Sequence, residues 1–220
     1  DTALWLDVTA GPEPGDADAP PPPERPYAEV AAEPPGSLRI AFSTTPPRAL
    51  FPGIVTDEIA ESVGEGGRLL ASLGHSVEEQ DPDWGLIAGE IPTRFLGGIA
   101  DHARHVDRPE RLDSRTRGMV RLGSALPGAA VRRARSQEPR YVERLNRIFD
   151  DFDVLITPVT GVPAPPIGHW AGRGALRTLV GVAREYPFCV PWNYTGQPAA
   201  SIPLPPERPG GTPRAFQIVV

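Results

Sequence analysis

Two strand-like runs, Leu38-Arg39-Ile40-Ala41-Phe42 and Ser76-Val77-Glu78, flank a helix-patterned stretch long enough to carry the chain back over a sheet. A strand followed by a helix and a second strand predicts a parallel crossover, which needs a sheet with helices on its faces. The helix has its own signals. Thr56 is the expected N-cap, Asp57 and Glu58 sit where the positive end of the helix dipole favours anions, and Gly74 ends the helix. Ile59, Val63, Leu69, Leu70 and Leu73 form its expected apolar stripe. Further on, Val154-Leu155-Ile156 is apolar without alternation, the pattern of a parallel strand buried on both faces.

Other segments are read in the same way. Residues 2–10 have the pattern of a helix end, stopped by Gly11 and Pro12. Residues 12–36 are rich in proline with neither period, and are expected to form an extended surface crossing. From Trp84 to Phe152 the pattern is helical, with breaks expected at Pro92, Pro109 and Pro127-Gly128, and either a kink or a new helix at Pro139. A proline-rich loop spans 162–168 and a weak helix lies near 174–184. Strands at 200–202 and 215–220 are expected, joined by a Pro/Gly loop at 203–213. The first residue is aspartate rather than methionine and the last six are an apolar β-like run. This leads to the expectation of a piece of a longer chain. Its isolated form would expose strand edges and aggregate or stay loosely packed.

Composition narrows the function classes. With 40% hydrophobic and 23% charged residues and a net charge of −6, the chain is unsuited to tracking a phosphate backbone, so nucleic acid is not an expected partner. A single cysteine, Cys189, makes no internal disulfide, and a cytoplasmic setting is expected. No membrane span is expected. All 22 cationic Lys+Arg positions are arginine.

Three motifs, in this order, carry a resemblance. Asp1-Thr-Ala-Leu-Trp-Leu-Asp7 leads into Gly11-Pro-Glu13-Pro14, Asp153-Val-Leu-Ile-Thr157-Pro158 closes a strand, and Trp192-Asn193-Tyr-Thr195-Gly196-Gln197-Pro198-Ala199 precedes Ser201-Ile-Pro203. Together they resemble the C-terminal half of amidase-signature hydrolases, with Glu13 where the family pattern has aspartate. The resemblance implies an α/β fold with a mixed β-sheet flanked by helices, in which residues 1–220 are the C-terminal part of a single amidase domain. It also implies hydrolysis of a carboxamide C–N bond by a serine nucleophile, a bridging serine in cis peptide geometry and a neutral lysine base. That trio belongs to the family's upstream half. This chain has no lysine and no Gly-Gly-Ser-Ser-Gly-Gly-like loop, so no catalytic residue is expected in it, and the chain alone is expected to be inactive. An arginine stays protonated and cannot serve as the base.

Under the resemblance, Thr157, Asn193, Thr195 and Gly196 are the expected substrate-binding residues. The residues themselves also fit a plain turn, with Asn193 and Thr195 bonding local backbone and Trp192 filling core. No cofactor or metal is expected; the partner is a small amide substrate, and the full-length form could be a homodimer. Two other readings stay open: a non-catalytic binding or scaffold protein derived from an amidase half, and the A-type amidotransferase subunit that generates glutaminyl-tRNA.

The remaining candidates read as structural. His102 and His105, with Asp101 and Asp107, have a ligand-like spacing but no cluster to complete a metal site. Cys189 between Phe188 and Val190 reads as a buried thiol. His75 is expected to cap a helix end and His169 to lie in a loop. Arg117 and Arg121, and the stretch of Arg132, Arg133, Arg135, Arg140, Arg144 and Arg147, read as solvated helix faces. Pro20 to Pro26 could dock on an aromatic groove but fits a surface crossing.

Overall fold

A computed structural model of the chain describes residues 1–15, 21–87, 89–205 and 213–220. They form two compact units, Asp1–Ser37 and Leu38–Val220.

The first unit holds α1 (Thr2–Thr9) and α2 (Tyr27–Val30). The turn of helix at α2 corrects the expectation of an extended crossing through 12–36. Its cause lies about twenty residues away in sequence: the Asp7 carboxylate accepts the backbone N–H groups of Tyr27 and Ala28 at 2.6 and 3.0 Å, satisfying donors that a helix start leaves unpaired. Residues 16–20, including Pro20 of the proline run read as a surface crossing, lie outside the described residues.

The second unit begins with β1 (Arg39–Phe42), β2 (Arg48–Ala49), α3 (Asp57–Ser72), β3 (Ser76–Glu79) and β4 (Leu86–Ile87). A helical stretch follows: α4 (Glu90–His102), 3-10 turns at Ala103–His105 and Pro109–Arg111, α5 (Ser114–Ser124), α6 (Gly128–Ser136), α7 (Glu138–Asn146) and α8 (Ile148–Asp151). The chain closes with β5 (Val154–Thr157), α9 (Ala175–Glu185), α10 (Cys189–Thr195), β6 (Ala199–Leu204) and β7 (Arg214–Val219). Residues 206–212 of the expected Pro/Gly loop lie outside the described residues.

The principal sheet has the order β3-β1-β5-β7-β6. β1 is parallel to β3 and β5, as the crossover requires, while β7 is antiparallel to both β5 and β6. The sheet is therefore mixed and has helices on both faces, as the resemblance implied. All four residues of β5 are buried, which explains its unbroken apolar run. On one face Ala41, Leu155 and Val219 pack with Trp84, Leu145, Ile148, Phe188 and Trp192. On the other, Ile40, Val154, Ile156 and Phe216 pack with Val63 of α3.

Helix α3 meets the sheet through Val63, Gly66, Gly67 and Leu70, a spacing of one helical face in which two positions are glycine. The expected stripe is therefore partly corrected: Leu69 is 47% exposed and Leu73 is 66% exposed. A Cβ at Gly66 would lie 2.6 Å from the Phe216 ring, so the absent side chain is what allows the close approach. Thr56 occupies the N-cap position, but its side chain makes no capping bond.

Of the proline expectations, the break at Pro92 is corrected, whereas the break at Pro127-Gly128 and the new helix at Pro139 are found. Pro92 lies in the first turn of α4, where a missing N–H is harmless, so it does not break the helix. Pro139 starts a new helix rather than kinking one, since α6 ends at Ser136 and α7 begins at Glu138. Pro127 is the N-cap of α6. The stretch from Trp84 is also not wholly helical, because β4 pairs in parallel with β2.

Candidate functional site

In an open α/β sheet, ligands usually bind beyond the carboxyl ends of the parallel strands. Here β1 ends at Phe42 and β5 at Thr157, and the segments that follow are tied by backbone bonds. Ser43 N–H donates to the Ile156 carbonyl at 3.0 Å, Thr56 N–H to Gly161 O at 2.9 Å, Gly161 N–H to Glu185 O at 2.8 Å and Ile54 N–H to Arg184 O at 2.8 Å. Gly161 is required at this crossing because a Cβ there would fall 1.8 Å from the Ile54 carbonyl oxygen. Fully buried Ser43 donates its hydroxyl to Asp81 at 2.6 Å, linking the ends of β1 and β3. Sequence reading singled out neither residue. The signal was positional: Ser43 follows β1 directly and Asp81 lies two residues beyond β3, both at carboxyl ends of parallel strands.

Thr157 is fully buried. Its hydroxyl donates to the Pro158 carbonyl at 3.1 Å and accepts the Gln217 side-chain amide at 3.2 Å, across the β5–β7 pairing. Gln217 in turn pairs with Ser201 on β6, so Thr157, Gln217 and Ser201 form a polar row on one face of the sheet.

Asn193, Thr195 and Gly196 sit at the C-terminal end of α10. The expected turn is thus the end of a helix, held down by buried Phe188 and Trp192 one turn apart. Gly196 has φ 78° and terminates the helix in the left-handed conformation, its N–H bonding the Trp192 carbonyl at 2.8 Å. Thr195 donates to the Pro191 carbonyl at 3.0 Å and contacts Gln197, which bonds Asn146. Asn193 is exposed.

Helix α10 runs back along the sheet. At its start the Cys189 thiol donates to the Val159 carbonyl at 3.1 Å, beyond the end of β5, whereas its far end reaches Asn146 on α7 through Gln197. The structure thus brings Asn193, Thr195 and Gly196 together and leaves Thr157 toward the other end of the helix. A surface cavity of about 460 Å³, lined chiefly by Glu78, Asp81, Asp83, Arg147 and Asp151, includes none of the four.

The other polar candidates have structural partners. Burial pushes the Cys189 thiol pKa up, the opposite of what a nucleophile needs. His75 accepts the Leu38 N–H at 3.2 Å, anchoring the start of β1 rather than capping a helix through its ring. His169 lies 3.5 Å from Glu185 and packs edge-on against Trp170. His105 Nδ1 is 3.2 Å from the Asp101 carbonyl, and among the described residues no group of His, Cys, Asp and Glu is arranged to hold a metal ion. Arg117 bonds the carbonyls of Glu110 and Leu112. Arg132, Arg133, Arg135, Arg140 and Arg147 are exposed. No helix among the described residues is long and apolar enough to cross a membrane.

Comparison with known proteins places this architecture. A relative from Mycobacterium tuberculosis named as an amidase, AmiB2, is 38% identical over 221 aligned positions, covering 100% of this chain and 46% of its own. The 6-aminohexanoate-cyclic-dimer hydrolase of Pseudomonas sp. (strain NK87) is 29% identical, covering 100% of this chain and 48% of its own. A solved structure of 6-aminohexanoate cyclic dimer hydrolase complexed with substrate superposes with a TM-score of 0.78 at 27% identity, covering 99% of this chain and 48% of that one. The chain therefore spans about half the length of the relatives it matches. The family described as Amidase matches residues 1–219, and the chain belongs to the amidase family.

Proposed function

We propose that this chain is the C-terminal part of an amidase domain whose complete form cleaves the C–N bond of a linear carboxamide to an acid and ammonia or an amine. The observation that carries the division of labour is the cation inventory. The chain matches the family from residue 1 to 219, yet all of its 22 Lys+Arg positions are arginine. A guanidinium stays protonated near neutral pH and cannot act as general base, so the lysine and the serine pair come from elsewhere in the complete enzyme. This half contributes the sheet and one wall of the substrate pocket. Asn193, Thr195 and Gly196 form the exposed polar end of α10 in that wall, and Thr157 acts through its bond to Gln217. The lone cysteine is compatible with a cytoplasmic setting.

The test is amide hydrolysis by the purified chain and by a full-length protein containing it, on short aliphatic and aromatic carboxamides. Ammonium release by the longer form alone is the expected result. Turnover by the 220-residue chain itself would refute it. A cyclic amide belongs in the panel because of the likeness to the cyclic-dimer hydrolase. Preference for that substrate over every linear one would replace the linear assignment while leaving amide hydrolysis intact.

A further inference from the structure

Helix α10 is seven residues long, too short to hold its shape alone in water, so the direction of its polar end depends on what grips it from outside. The grip falls on Tyr194. That residue is buried, whereas Asn193 beside it is exposed, because adjacent helix positions point about 100° apart. Fixing Tyr194 therefore fixes the direction of Asn193 and Thr195. Its hydroxyl donates to the Ala134 carbonyl of α6 at 2.8 Å, and the Tyr141 ring of α7 meets its ring edge-on at 5.3 Å.

Arg94 of α4 completes the arrangement. Its Nη1 donates to the Tyr194 carbonyl at 3.3 Å and also to the Glu138 carboxylate of α7, while its guanidinium lies 5.0 Å from the centre of the Tyr194 ring. A helix ends in carbonyls that lack intrahelical partners and carry partial negative charge, so a cation there is favourable. Two neighbouring carbonyls are already taken, Pro191 O by the Thr195 hydroxyl and Trp192 O by the Gly196 N–H. The Tyr194 carbonyl falls to Arg94, and Glu138 balances the charge. Both side chains of this ion pair are 35% exposed, so water screens it only in part.

We propose that Arg94 is a positioning residue: by holding the carbonyl and ring of Tyr194 it keeps Asn193, Thr195 and Gly196 in one orientation toward the amide substrate. The inference rests on the reading of this end of α10 as part of the substrate wall, and adds to it a residue from α4 that touches no substrate itself.

The experiment compares Arg94→Gln and Glu138→Gln with the parent in a full-length protein containing this chain. Both substitutions remove the ion pair, but only the first removes the cation from the Tyr194 carbonyl. Arg94→Gln is expected to raise KM for the best amide substrate at least about tenfold with kcat within about twofold, the pattern of lost binding rather than lost chemistry. It is also expected to speed hydrogen exchange at the Gly196 amide at least about tenfold, with the β5 amides unchanged. Glu138→Gln is expected to keep KM and Gly196 exchange within about twofold of the parent, even where its unfolding midpoint falls. Arg94→Lys keeps a cation without the planar fork; it is expected at about fivefold in both readouts and replaces Arg94→Gln if that variant does not fold. Equal effects of the Arg94 and Glu138 variants, a fall in kcat with KM unchanged, or unchanged Gly196 exchange would each overturn the proposal. If the parent hydrolyses no amide, the proposed activity fails, and Gly196 exchange alone decides whether Arg94 holds the end of α10.

Discussion

Replacing the adjacent glycines of α3 by alanine should move stability in opposite directions. In a helix interior, Gly→Ala is favourable by about 1 kcal/mol, because the backbone loses less entropy on folding. At Gly67 the new Cβ would lie 3.4 Å from Val77 Cγ1 and 3.9 Å from Ile156 Cδ1, at ordinary contact distance. Gly67→Ala is therefore expected to stabilise by about 0.5–1 kcal/mol. At Gly66 the Cβ would lie 2.6, 2.8 and 3.0 Å from three carbons of the Phe216 ring. That ring is 1% exposed and is wedged among Ile40, Val63 and Ile156, so it cannot swing into solvent. Overpacking of a filled core costs about 1–3 kcal/mol, and here the upper part of that range applies, which outweighs the propensity gain and leaves a net loss of about 1–2 kcal/mol. With a urea m-value of about 2 kcal/mol/M, the two variants should differ in midpoint by about 0.75–1.5 M. Fluorescence of buried Trp84 and Trp192, on the opposite face of the sheet, reports the global transition. If Gly66→Ala unfolds at or above the parent's midpoint, the close approach of α3 to β7 is not the constraint argued here.

Other expectations follow from single contacts. Hydrogen bonds from the Arg39 side chain and N–H hold the Asp153 carboxyl below the usual carboxylate range. A lowered folded-state pKa contributes stability above the unfolded value that is lost as pH falls through the folded one, so Asp153→Asn should flatten the decline of the urea midpoint below about pH 5. Parallel acid limbs in the two proteins would refute this. Fully buried Phe188, edge-on to Trp84 at 6.4 Å, should cost about 3–5 kcal/mol when changed to alanine, read as a loss of urea midpoint. Cys189 should react slowly with a disulfide reagent in the native chain and rapidly in urea, since burial raises its pKa; equal rates would contradict the burial. Gly196→Ala should destabilise by about 1 kcal/mol through its positive φ alone, because nothing lies within 4 Å of the added Cβ.

The local pattern of residues carried much of this architecture. The parallel crossover from β1 through α3 to β3, the buried strand β5 and the existence of strands β6 and β7 were legible because period and burial leave their mark on consecutive residues. The order of the three motifs was enough to indicate the family. Long-range juxtaposition left no such mark. Asp7 converting a proline-rich crossing into a turn of helix, Gly66 admitting Phe216, and Ser43 meeting Asp81 each join residues that are distant or unremarkable in sequence. The motif around Asn193 was visible, but not its separation from Thr157 along α10, which depends on the way buried Phe188 and Trp192 lay the helix against the sheet. Periodicity records which side of an element is buried, whereas the partner that buries it is selected by packing across the whole sheet.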